Sequence, residues 1–475
     1  MSRTSSKADS AIWDVAIVGG GSAGYAAART AVAEGLKTVV IEGGADLGGL
    51  CILRGCMPSK ALLYAAEVLH LARSAGTWGL SVPKVGFDFA AVMARKEAMI
   101  DDFAQYRRKQ LTSGKFKFIR ARARFIDAQT LELNSGKEAP AQIKAKHFVL
   151  CTGSVVAPPP LPSLQETGFI TSDDALSLRG LPPSLIILGA GLVGTELAQF
   201  FCRFGVQVTL VQRSMHLLSG FDTDAATVLE KVLRREGVTV CTGTKLLEAF
   251  RQGKEKGVTV RHRERKKRFQ AAEILLALGR RPATSGLALE KAGVDTEDGR
   301  IRANAAMQTS APHIYAAGDC TGPHEIVHIG IEQGEIAAHN IARPDQRRNI
   351  DYRLLTSVVF TDPQVAVVGL TEKDAMQRGI PYHAATHPFP EHGKSMIMEA
   401  TEGFVKLLAD PASGEILGGA CTGPLGGELI HEIIAAMYKR MTVEELAAMP
   451  HYHPTLAEIW TYPASELAER RLAKR

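Results

Sequence analysis

Residues 15–24 read VAIVGGGSAG, and this stretch decides the fold of the chain. Its four leading apolar residues predict a buried strand, and the glycines lie where that strand gives way to a helix. Gly19, Gly21 and Gly24 have the spacing that lets a backbone approach a pyrophosphate at a helix N-terminus. A glycine triplet alone is a weak signal, so the prediction depends on the residues that follow it.

The residues after the glycines supply that context. An alanine-rich helix is predicted over residues 25–34, and residues 38–41 read as a second buried strand that ends at Glu42. A carboxylate at this position accepts hydrogen bonds from ribose hydroxyls. Strand, turn, helix and terminal acid together predict a dinucleotide-binding βαβ unit.

The same pattern occurs a second time. A buried strand at residues 184–188 leads into another glycine loop, a helix and a strand that is followed by Gln212. The glycines of this second loop are Gly189, Gly191 and Gly194. From the first glycine to the residue that ends the unit there are 23 positions in both copies. The equal spacing predicts a second nucleotide site.

A pair of cysteines lies between the two nucleotide motifs, in the run GGLCILRGCMPSK at residues 48–60. Cys51 and Cys56 suit neither a zinc knuckle nor a thioredoxin-type pair, and we predict no metal site. Five positions along an ideal helix separate two Cα atoms too far for a disulfide, so bridging requires a bent helix. Gly55 and Pro58 permit such a bend. Two nucleotide sites and a dithiol predict two-electron transfer between two cofactors and a disulfide.

Composition excludes several classes of protein. The net charge of +6 on 475 residues is small and indicates no nucleic-acid partner. Residues 261–268 form a basic run that we expect to be a solvated hairpin rather than a docking patch for an acidic carrier domain. Seven thinly spread cysteines argue against a secreted disulfide scaffold, and the polar residues 1–10 predict no secretory signal. No apolar run is long enough for a membrane span, so we expect a cytoplasmic protein of about two to four domains.

Further motifs along most of the chain make it similar to one family. They are Thr152-Gly153-Ser154, Gly279-Arg280-Arg281-Pro282, Ala316-Ala317-Gly318-Asp319, Phe360-Thr361-Asp362-Pro363 and His453-Pro454-Thr455. With the dithiol run, they resemble the class I pyridine nucleotide–disulfide oxidoreductases, the flavoproteins that include lipoamide dehydrogenase, glutathione reductase and mercuric reductase. The resemblance implies an α/β fold with two Rossmann-like nucleotide-binding domains and a C-terminal α+β dimerisation domain.

The resemblance also implies a division of the chain and an assembly. The expected segments are the first part of an FAD-binding domain at residues 12–155, an NAD(P)-binding domain at 156–278, the second part of the FAD-binding domain at 279–350 and an interface domain at 351–475. The implied assembly is a homodimer.

By the same resemblance, the first nucleotide site takes FAD and the second takes NAD or NADP. Cys56 is then the thiol beside the flavin, and Cys51 is the thiol that exchanges with the substrate. His453 matches the catalytic base, which in the family acts on the dithiol of the other subunit. Glu458 matches the carboxylate that orients this base.

Other residues are expected to bind the cofactors. Lys60 and Glu196 match a lysine–glutamate pair near the reactive end of the flavin, and Asp319 matches the aspartate that holds its ribityl and pyrophosphate part. The full expected set is Gly19, Gly21, Gly24, Glu42, Lys60, Thr152, Gly153, Asp319, Gly189, Gly191, Gly194, Glu196, Gln212, Arg213 and Gly279.

Smaller features bear on the substrate. The Pro-Ser-Lys ending of the dithiol run and the runs at residues 368–373 and 426–429 are most similar to lipoamide dehydrogenase, which predicts a small dithiol, disulfide or lipoyl-carrier substrate. The last 50 residues contain no cysteine, whereas mercuric reductase typically has a C-terminal cysteine pair. A mercuric reductase-like or glutathione reductase-like NADPH-dependent activity stays open, and so does a non-catalytic flavin-binding module.

Two positions depart from the family pattern. Leu50 stands where a threonine is usual, next to the first cysteine of the pair. Gln212 stands where NAD-specific lipoamide dehydrogenases have an acid, and Arg213 beside it offers a cation suited to a phosphate. The second departure predicts a relaxed choice between NAD and NADP.

Overall fold

The computed structural model describes residues 12–136, 141–322 and 324–473. The segment for which no secretory signal is predicted lies outside the described residues. Contacts divide the chain into two compact units. Unit 1 contains the described residues up to Ser59, with Ala94–Ala157 and Gly279–Asp351, and unit 2 contains Lys60–Met93, Pro158–Leu278 and the described residues from Tyr352 onward. The four segments expected from the sequence stay a prediction.

Strands and helices are numbered in chain order. The strands are β1 Trp13–Val18, β2 Thr38–Glu42, β3 Lys117–Arg120, β4 Arg122–Asp127, β5 Thr130–Asn134, β6 Ala141–Leu150, β7 Ser154–Val156, β8 Ile170–Thr171, β9 Ser184–Leu188, β10 Gln207–Val211, β11 Thr239–Cys241, β12 Thr244–Gln252, β13 Glu255–His262, β14 Arg265–Ala271, β15 Glu273–Leu276, β16 Arg280–Pro282, β17 Thr296–Glu297, β18 Arg300–Ile301, β19 Ile314–Ala316, β20 Thr356–Val359, β21 Gln364–Gly369, β22 His383–Pro388, β23 Phe404–Ala409 and β24 Ile416–Gly423. The α-helices are α1 Ser22–Ala33, α2 Gly49–Arg54, α3 Cys56–Arg73, α4 Phe89–Leu111, α5 Pro162–Thr167, α6 Ser172–Ala175, α7 Leu192–Arg203, α8 Thr223–Glu236, α9 Val327–Ala342, α10 Glu372–Arg378, α11 Gly393–Ile397, α12 Gly426–Tyr438, α13 Val443–Ala448 and α14 Thr461–Leu472.

Unit 1 is built on a seven-stranded sheet with β1 near its centre. β1 pairs in parallel with β2 on one side and with β6 on the other, and β19 pairs in parallel with β6. The buried parts of the central strands are mostly apolar because both faces of this parallel region are covered, and Ile17, Val39 and Phe148 are fully buried. The β1–α1–β2 unit predicted from the first glycine loop is confirmed, with the helix beginning at Ser22.

Unit 2 contains a second parallel sheet, in the order β11-β10-β9-β15-β8. β9 and β10 flank α7, as the second glycine loop predicts. α7 begins at Leu192, so Gly194 lies inside its first turn. A three-stranded antiparallel sheet, β12-β13-β14, follows. The basic run at residues 261–268 forms the exposed hairpin between β13 and β14, with Arg263 and Glu264 at positive φ in its turn. The predicted solvated hairpin is confirmed.

The end of unit 2 is an antiparallel sheet in the order β20-β21-β24-β23-β22, with α12 and α14 packed on it and α13 packed on α14. Its core includes Trp460, Ile430 and Leu407, all of which are fully buried. Two parallel βαβ sheets followed by an α+β region confirm the predicted fold class. No helix of the described residues has the length and apolar character that crossing a membrane requires.

Candidate active site

The first glycine loop is tight at its ends and open in its middle. Gly19 has a φ of +108°, and a Cβ at Gly24 would overlap the Gly19 carbonyl oxygen. A Cβ at Gly21, in contrast, would meet only the Cα of Gly49, at 3.9 Å. The backbone of Gly21 is therefore accessible to a phosphate group, as a dinucleotide site requires.

The second loop repeats this geometry. Gly189 has a φ of +101°, and a Cβ at Gly194 would overlap the Gly189 carbonyl oxygen. A Cβ at Gly191 would have no neighbour within 4 Å among the described atoms. Neither α1 nor α7 has a side-chain cap at its N-terminus within the described chain, so first-turn N–H groups are available to an anion.

The residue at the end of each βαβ unit also holds the glycine loop of that βαβ unit in place. Glu42 Oε2 accepts a hydrogen bond from the Gly20 N–H at 2.6 Å, and Gln212 Oε1 accepts one from the Ala190 N–H at 3.2 Å. The amide of Gln212 thus substitutes for the carboxylate of Glu42 in this contact. Arg213, next to Gln212, is exposed.

Asp319 lies at the end of β19 and is held by a short network. The Ser154 hydroxyl donates to Asp319 Oδ2 at 2.7 Å, and Arg280 Nε donates to the Ser154 hydroxyl at 2.9 Å. Gly153 and Gly279 precede the paired strands β7 and β16, and both have positive φ.

Unit 1 has a further feature that fits a dinucleotide such as FAD. The Thr152 hydroxyl oxygen is buried. Its side chain has a hydrogen bond with the Cys320 thiol, a weak partner, and within residues 12–136, 141–322 and 324–473 it forms none to a nitrogen or another oxygen. A buried hydroxyl in this state is costly unless a ligand supplies a partner. With the open backbone of Gly21 and the carboxylates of Glu42 and Asp319, it makes a donor and acceptor set suited to FAD.

The dithiol lies where two helices meet. Cys51 is in α2, Cys56 begins α3, and the helices are separated by Gly55, where a Cβ would lie 2.9 Å from the Leu50 carbonyl oxygen. The predicted bend is therefore at Gly55. Pro58 lies in the first turn of α3, where its missing N–H costs no helical hydrogen bond. Both cysteines are thiols here, with Cys51 half-buried and Cys56 exposed.

Cys56 affects the ionisation of Cys51. Hydrogen bonding with Cys56 and then burial raise the pKa of the Cys51 thiol far above its ordinary value, whereas the charge of Arg107 acts to lower this pKa. The neutral thiol of Cys51 is therefore favoured while Cys56 lies beside it. Burial also raises the thiol pKa of the remaining cysteines, as suits packing residues: Cys151, Cys202, Cys241, Cys320 and Cys421.

Lys60 and Glu196 are paired in unit 2. Lys60 Nζ lies 3.0 and 2.9 Å from the two carboxylate oxygens of Glu196, whose side chain is 5% exposed. The Phe360 N–H donates to Glu196 Oε1 at 2.9 Å, and the Phe360 ring lies 4.7 Å from Lys60 Nζ. The pair is thus held from two sides, while its role toward the flavin stays a prediction.

Sequence reasoning missed the residues that hold the loop containing Phe360. The Gln199 amide nitrogen donates to the Asp362 carbonyl, and its oxygen accepts from the Asp362 N–H, both at 2.7 Å. Arg203 binds the Asp362 carboxylate at 2.8 Å and pairs with Glu236. The sequence feature that could have indicated these residues is the helical spacing of Glu196, Gln199 and Arg203, which places the three polar side chains on one face of the mostly apolar α7.

His453 is bonded to Glu458, as the sequence predicts. Its Nδ1 lies 2.9 and 3.1 Å from the carboxylate oxygens, and the imidazole is 78% exposed. His392, which sequence reasoning missed, is fully buried with Nε2 3.4 Å from the same carboxylate. Burial lowers the pKa of His392, which favours its neutral form.

His451 differs from His453 in that both of its ring nitrogens are occupied. Nε2 lies 2.5 Å from a Glu432 carboxylate oxygen, and Nδ1 lies 2.9 Å from the Met449 carbonyl oxygen. His453 bonds its carboxylate through Nδ1, which leaves Nε2 for proton transfer. This difference supports the assignment of His453, rather than His451, as the base.

Comparison with known proteins agrees with this geometry. Residues 13–338 match the pyridine nucleotide-disulphide oxidoreductases, and residues 355–464 match the dimerisation domain of that family. The chain belongs to this family. Like other pyridine nucleotide-disulphide oxidoreductases, it is an FAD-dependent enzyme that uses NAD(P), so the predicted cofactors and the prediction of an enzyme are confirmed.

Relatives within this family include more than one activity. The mitochondrial dihydrolipoyl dehydrogenase of Schizosaccharomyces pombe is 33% identical over 459 residues, which cover 94% of this chain and 88% of the relative. The mercuric reductase of Streptomyces lividans is 34% identical over 449 residues, which cover 94% of each chain. The HOCl-induced flavoprotein disulfide reductase RclA from Escherichia coli, solved as a Cu(II) complex, has a TM-score of 0.85 and 26% identity and covers 96% of this chain and 99% of its own.

Proposed function

We propose that this oxidoreductase acts as a dihydrolipoyl dehydrogenase-type enzyme on a small dithiol, a disulfide or a lipoyl carrier. The observation that carries the proposal is the pair Cys51 and Cys56 at the break between α2 and α3. Dihydrolipoyl dehydrogenase relatives at 33–35% identity over 94–95% of the chain support the choice of substrate.

In the direction of disulfide reduction, His453 takes the proton of the Cys51 thiol, and the resulting thiolate attacks one sulfur of the substrate disulfide. A Cys51–substrate bond forms as the substrate S–S bond breaks, and the leaving sulfur takes a proton from His453. His453 then accepts the proton of Cys56, whose thiolate attacks the Cys51 sulfur. The Cys51–Cys56 disulfide forms, and the second substrate sulfur leaves with that proton. When bound, FAD supplies the two-electron relay by which NAD(P)H restores the dithiol.

The environment of His453 suits this exchange. Glu458 fixes one ring nitrogen and stabilises the imidazolium that forms when the other nitrogen takes a proton. The buried His392 lies against this carboxylate from the other side, with Nε2 3.4 Å from Glu458 Oε1. Lys60 and Glu196 are proposed to lie near the reactive end of the flavin.

We also propose that the enzyme accepts both NAD and NADP. An acid after the second strand repels the 2′-phosphate of NADP, and Gln212 has no such charge. Arg213 is exposed beside it and can pair with the phosphate. The assembly proposed from the family's dimerisation domain is a homodimer in which His453 acts on the dithiol of the other subunit. The cytoplasmic location stays a prediction.

Turnover of the purified protein tests the proposal. Dihydrolipoamide, oxidised glutathione and Hg(II) are each assayed with NAD(H) and NADP(H). We expect dihydrolipoamide to be oxidised, and Cys51→Ser should abolish this activity. Cys202→Ser is a matched control, because this thiol donates to the Glu236 carbonyl and takes no part in exchange.

The outcomes separate the candidate substrates. Turnover of oxidised glutathione with NADPH alone would contradict the lipoyl assignment and favour a glutathione reductase-like enzyme. The Streptomyces lividans relative makes Hg(II) a second candidate substrate, and turnover with Hg(II) alone would establish it. Full dihydrolipoamide activity in Cys51→Ser would exclude the dithiol mechanism.

A further inference from the structure

An arginine near the dithiol has no role in the chemistry above. Arg107 lies in α4, and its guanidinium carbon is 4.5 Å from the centroid of the Tyr25 ring. Across the three described ranges, its Nε and Nη1 are buried and have no hydrogen-bond partner. Buried donors on a charged group are costly when they are unsatisfied, so an anionic ligand would relieve this cost.

Tyr25 and two glycines connect Arg107 to the dithiol. α1 and α2 approach backbone to backbone, since a Cβ at Gly49 would lie 2.8 Å from the Gly21 Cα. Tyr25 is one turn beyond Gly21 in α1, and Cys51 is two residues beyond Gly49 in α2. The guanidinium is close enough to act electrostatically on the Cys51 thiol.

The two neighbouring arginines are paired with carboxylates, and Arg107 is left to bind an anionic ligand. Arg29, one turn beyond Tyr25 in α1, forms an ion pair with Glu335, and Arg108 binds Asp101 at 2.8 Å. In the described part of the chain, no carboxylate forms an ion pair with Arg107. The residue as a whole is only partly buried, so a ligand can meet its exposed part from solvent, and a shift of the guanidinium would bring the covered Nε and Nη1 to the same ligand.

We propose that Arg107 is an anion subsite for the substrate, so that the preferred disulfide is a small molecule bearing a carboxylate. The proposal rests on the proposed function, because it takes Cys51 as the thiol that meets the substrate. A carboxylate that reaches Arg107 while a substrate sulfur meets Cys51 would accept charge-assisted hydrogen bonds from the guanidinium. A neutral amide in the same place would leave the guanidinium without an anionic partner.

The subsite is tested without turnover by two alkylating reagents that differ only in this group. The Cys51 thiolate of the reduced enzyme displaces iodide from iodoacetate or iodoacetamide, forming an S–C bond as the C–I bond breaks. The rate at Cys51 is followed by mass spectrometry of its peptide. We expect Arg107→Gln to lower the iodoacetate-to-iodoacetamide rate ratio about tenfold, the scale of a lost charge-assisted hydrogen bond.

Two variants serve as controls. Arg108→Gln removes the adjacent arginine and should leave the rate ratio unchanged. Arg107→Lys keeps the charge and should retain part of the preference for iodoacetate. If Arg107→Gln slows both reagents by the same factor, or changes neither, the arginine supports only the thiolate or the packing on Tyr25, and the subsite is excluded.

Turnover separates failure of the subsite from failure of the proposed function. Lipoate and lipoamide carry the same disulfide, but lipoate has a carboxylate where lipoamide has a neutral amide. We expect the wild type to have a higher kcat/KM for lipoate than for lipoamide. Arg107→Gln should lose this preference because its KM for lipoate rises. Equal use of both by the wild type would overturn the subsite and leave the function intact. Turnover of neither, with the alkylation ratio as expected, would overturn the lipoyl substrate and leave the subsite intact.

Discussion

Replacing Glu458 by glutamine tests the histidine–carboxylate pair without a change in side-chain size. In the proposed mechanism, the carboxylate, which bonds His453 Nδ1 at 2.9 Å, stabilises the imidazolium that forms as His453 accepts a proton. The amide oxygen of Glu458→Gln can still accept a hydrogen bond from Nδ1, but the negative charge is lost. We therefore expect slower exchange between the dithiol and the disulfide, with unchanged reduction of the flavin by NAD(P)H.

The size of the effect follows from the contact. A hydrogen bond to a charged group contributes about 1.5–3 kcal/mol and a neutral one about 0.5–1.5 kcal/mol, so the loss of charge costs about 1–1.5 kcal/mol. This corresponds to a rate reduced about 5- to 13-fold. Because His453 is 78% exposed, water screens the pair, and the lower end of that range is expected.

The prediction is tested by stopped-flow measurement of two half-reactions, the exchange between dithiol and disulfide and the reduction of the flavin by NAD(P)H. Glu432→Gln is the matched control, since it makes the same change in the His451 pair and should not slow exchange. Wild-type exchange in Glu458→Gln would refute the reasoning. An equal loss in both half-reactions would show damage to the fold or to the flavin site instead.

Four further predictions concern the dithiol, the dimer, the cofactor and α7. Cys56→Ser should abolish a long-wavelength absorption band that appears on two-electron reduction, whereas Cys51→Ser should keep the band and stop turnover; retention of the band in Cys56→Ser would reverse the assignment. Verified heterodimers of inactive Cys51→Ser and inactive His453→Ala subunits should regain part of the activity, and no recovery would place the base in its own subunit's site. The kcat/KM preference for NAD over NADP should stay below about 100-fold, or about 2.7 kcal/mol, and Gln212→Glu should raise it; a larger wild-type preference would contradict relaxed specificity. Gln199→Leu should lower the thermal unfolding temperature by several degrees, since it leaves two partly buried backbone groups of Asp362 without their partner, and an unchanged temperature would show that the contact is dispensable.

The parts of the site that depend on local geometry could be predicted from the sequence. A nucleotide loop requires its glycines at fixed positions, so Gly19 and Gly189 indicated both loops and their helices. The bend at the dithiol was predictable in the same way, because Gly55 and its neighbours in sequence determine it. Motif spacing sufficed wherever the physical constraint acts within one or two turns of the chain.

Residues that act through distant contacts could not be predicted in this way. Gln199 binds the backbone of Asp362, which is 163 positions away in sequence, and His392 reaches the carboxylate of Glu458 from another segment. Arg107 reads in the sequence as one of several basic residues on a polar helix. Only its packing on Tyr25 distinguishes it from the exposed arginine that follows it.

The row of polar residues along α7 restricts where the length of this chain can change. Each residue inserted into a helix rotates the following positions by about 100° and moves them about 1.5 Å. One extra residue after Gly194 would leave the glycine loop intact but turn Glu196 away from Lys60 and Gln199 away from Asp362. A deletion would have the same effect in the opposite direction. Insertions and deletions compatible with activity should therefore fall outside residues 189–203, even where their composition favours a helix.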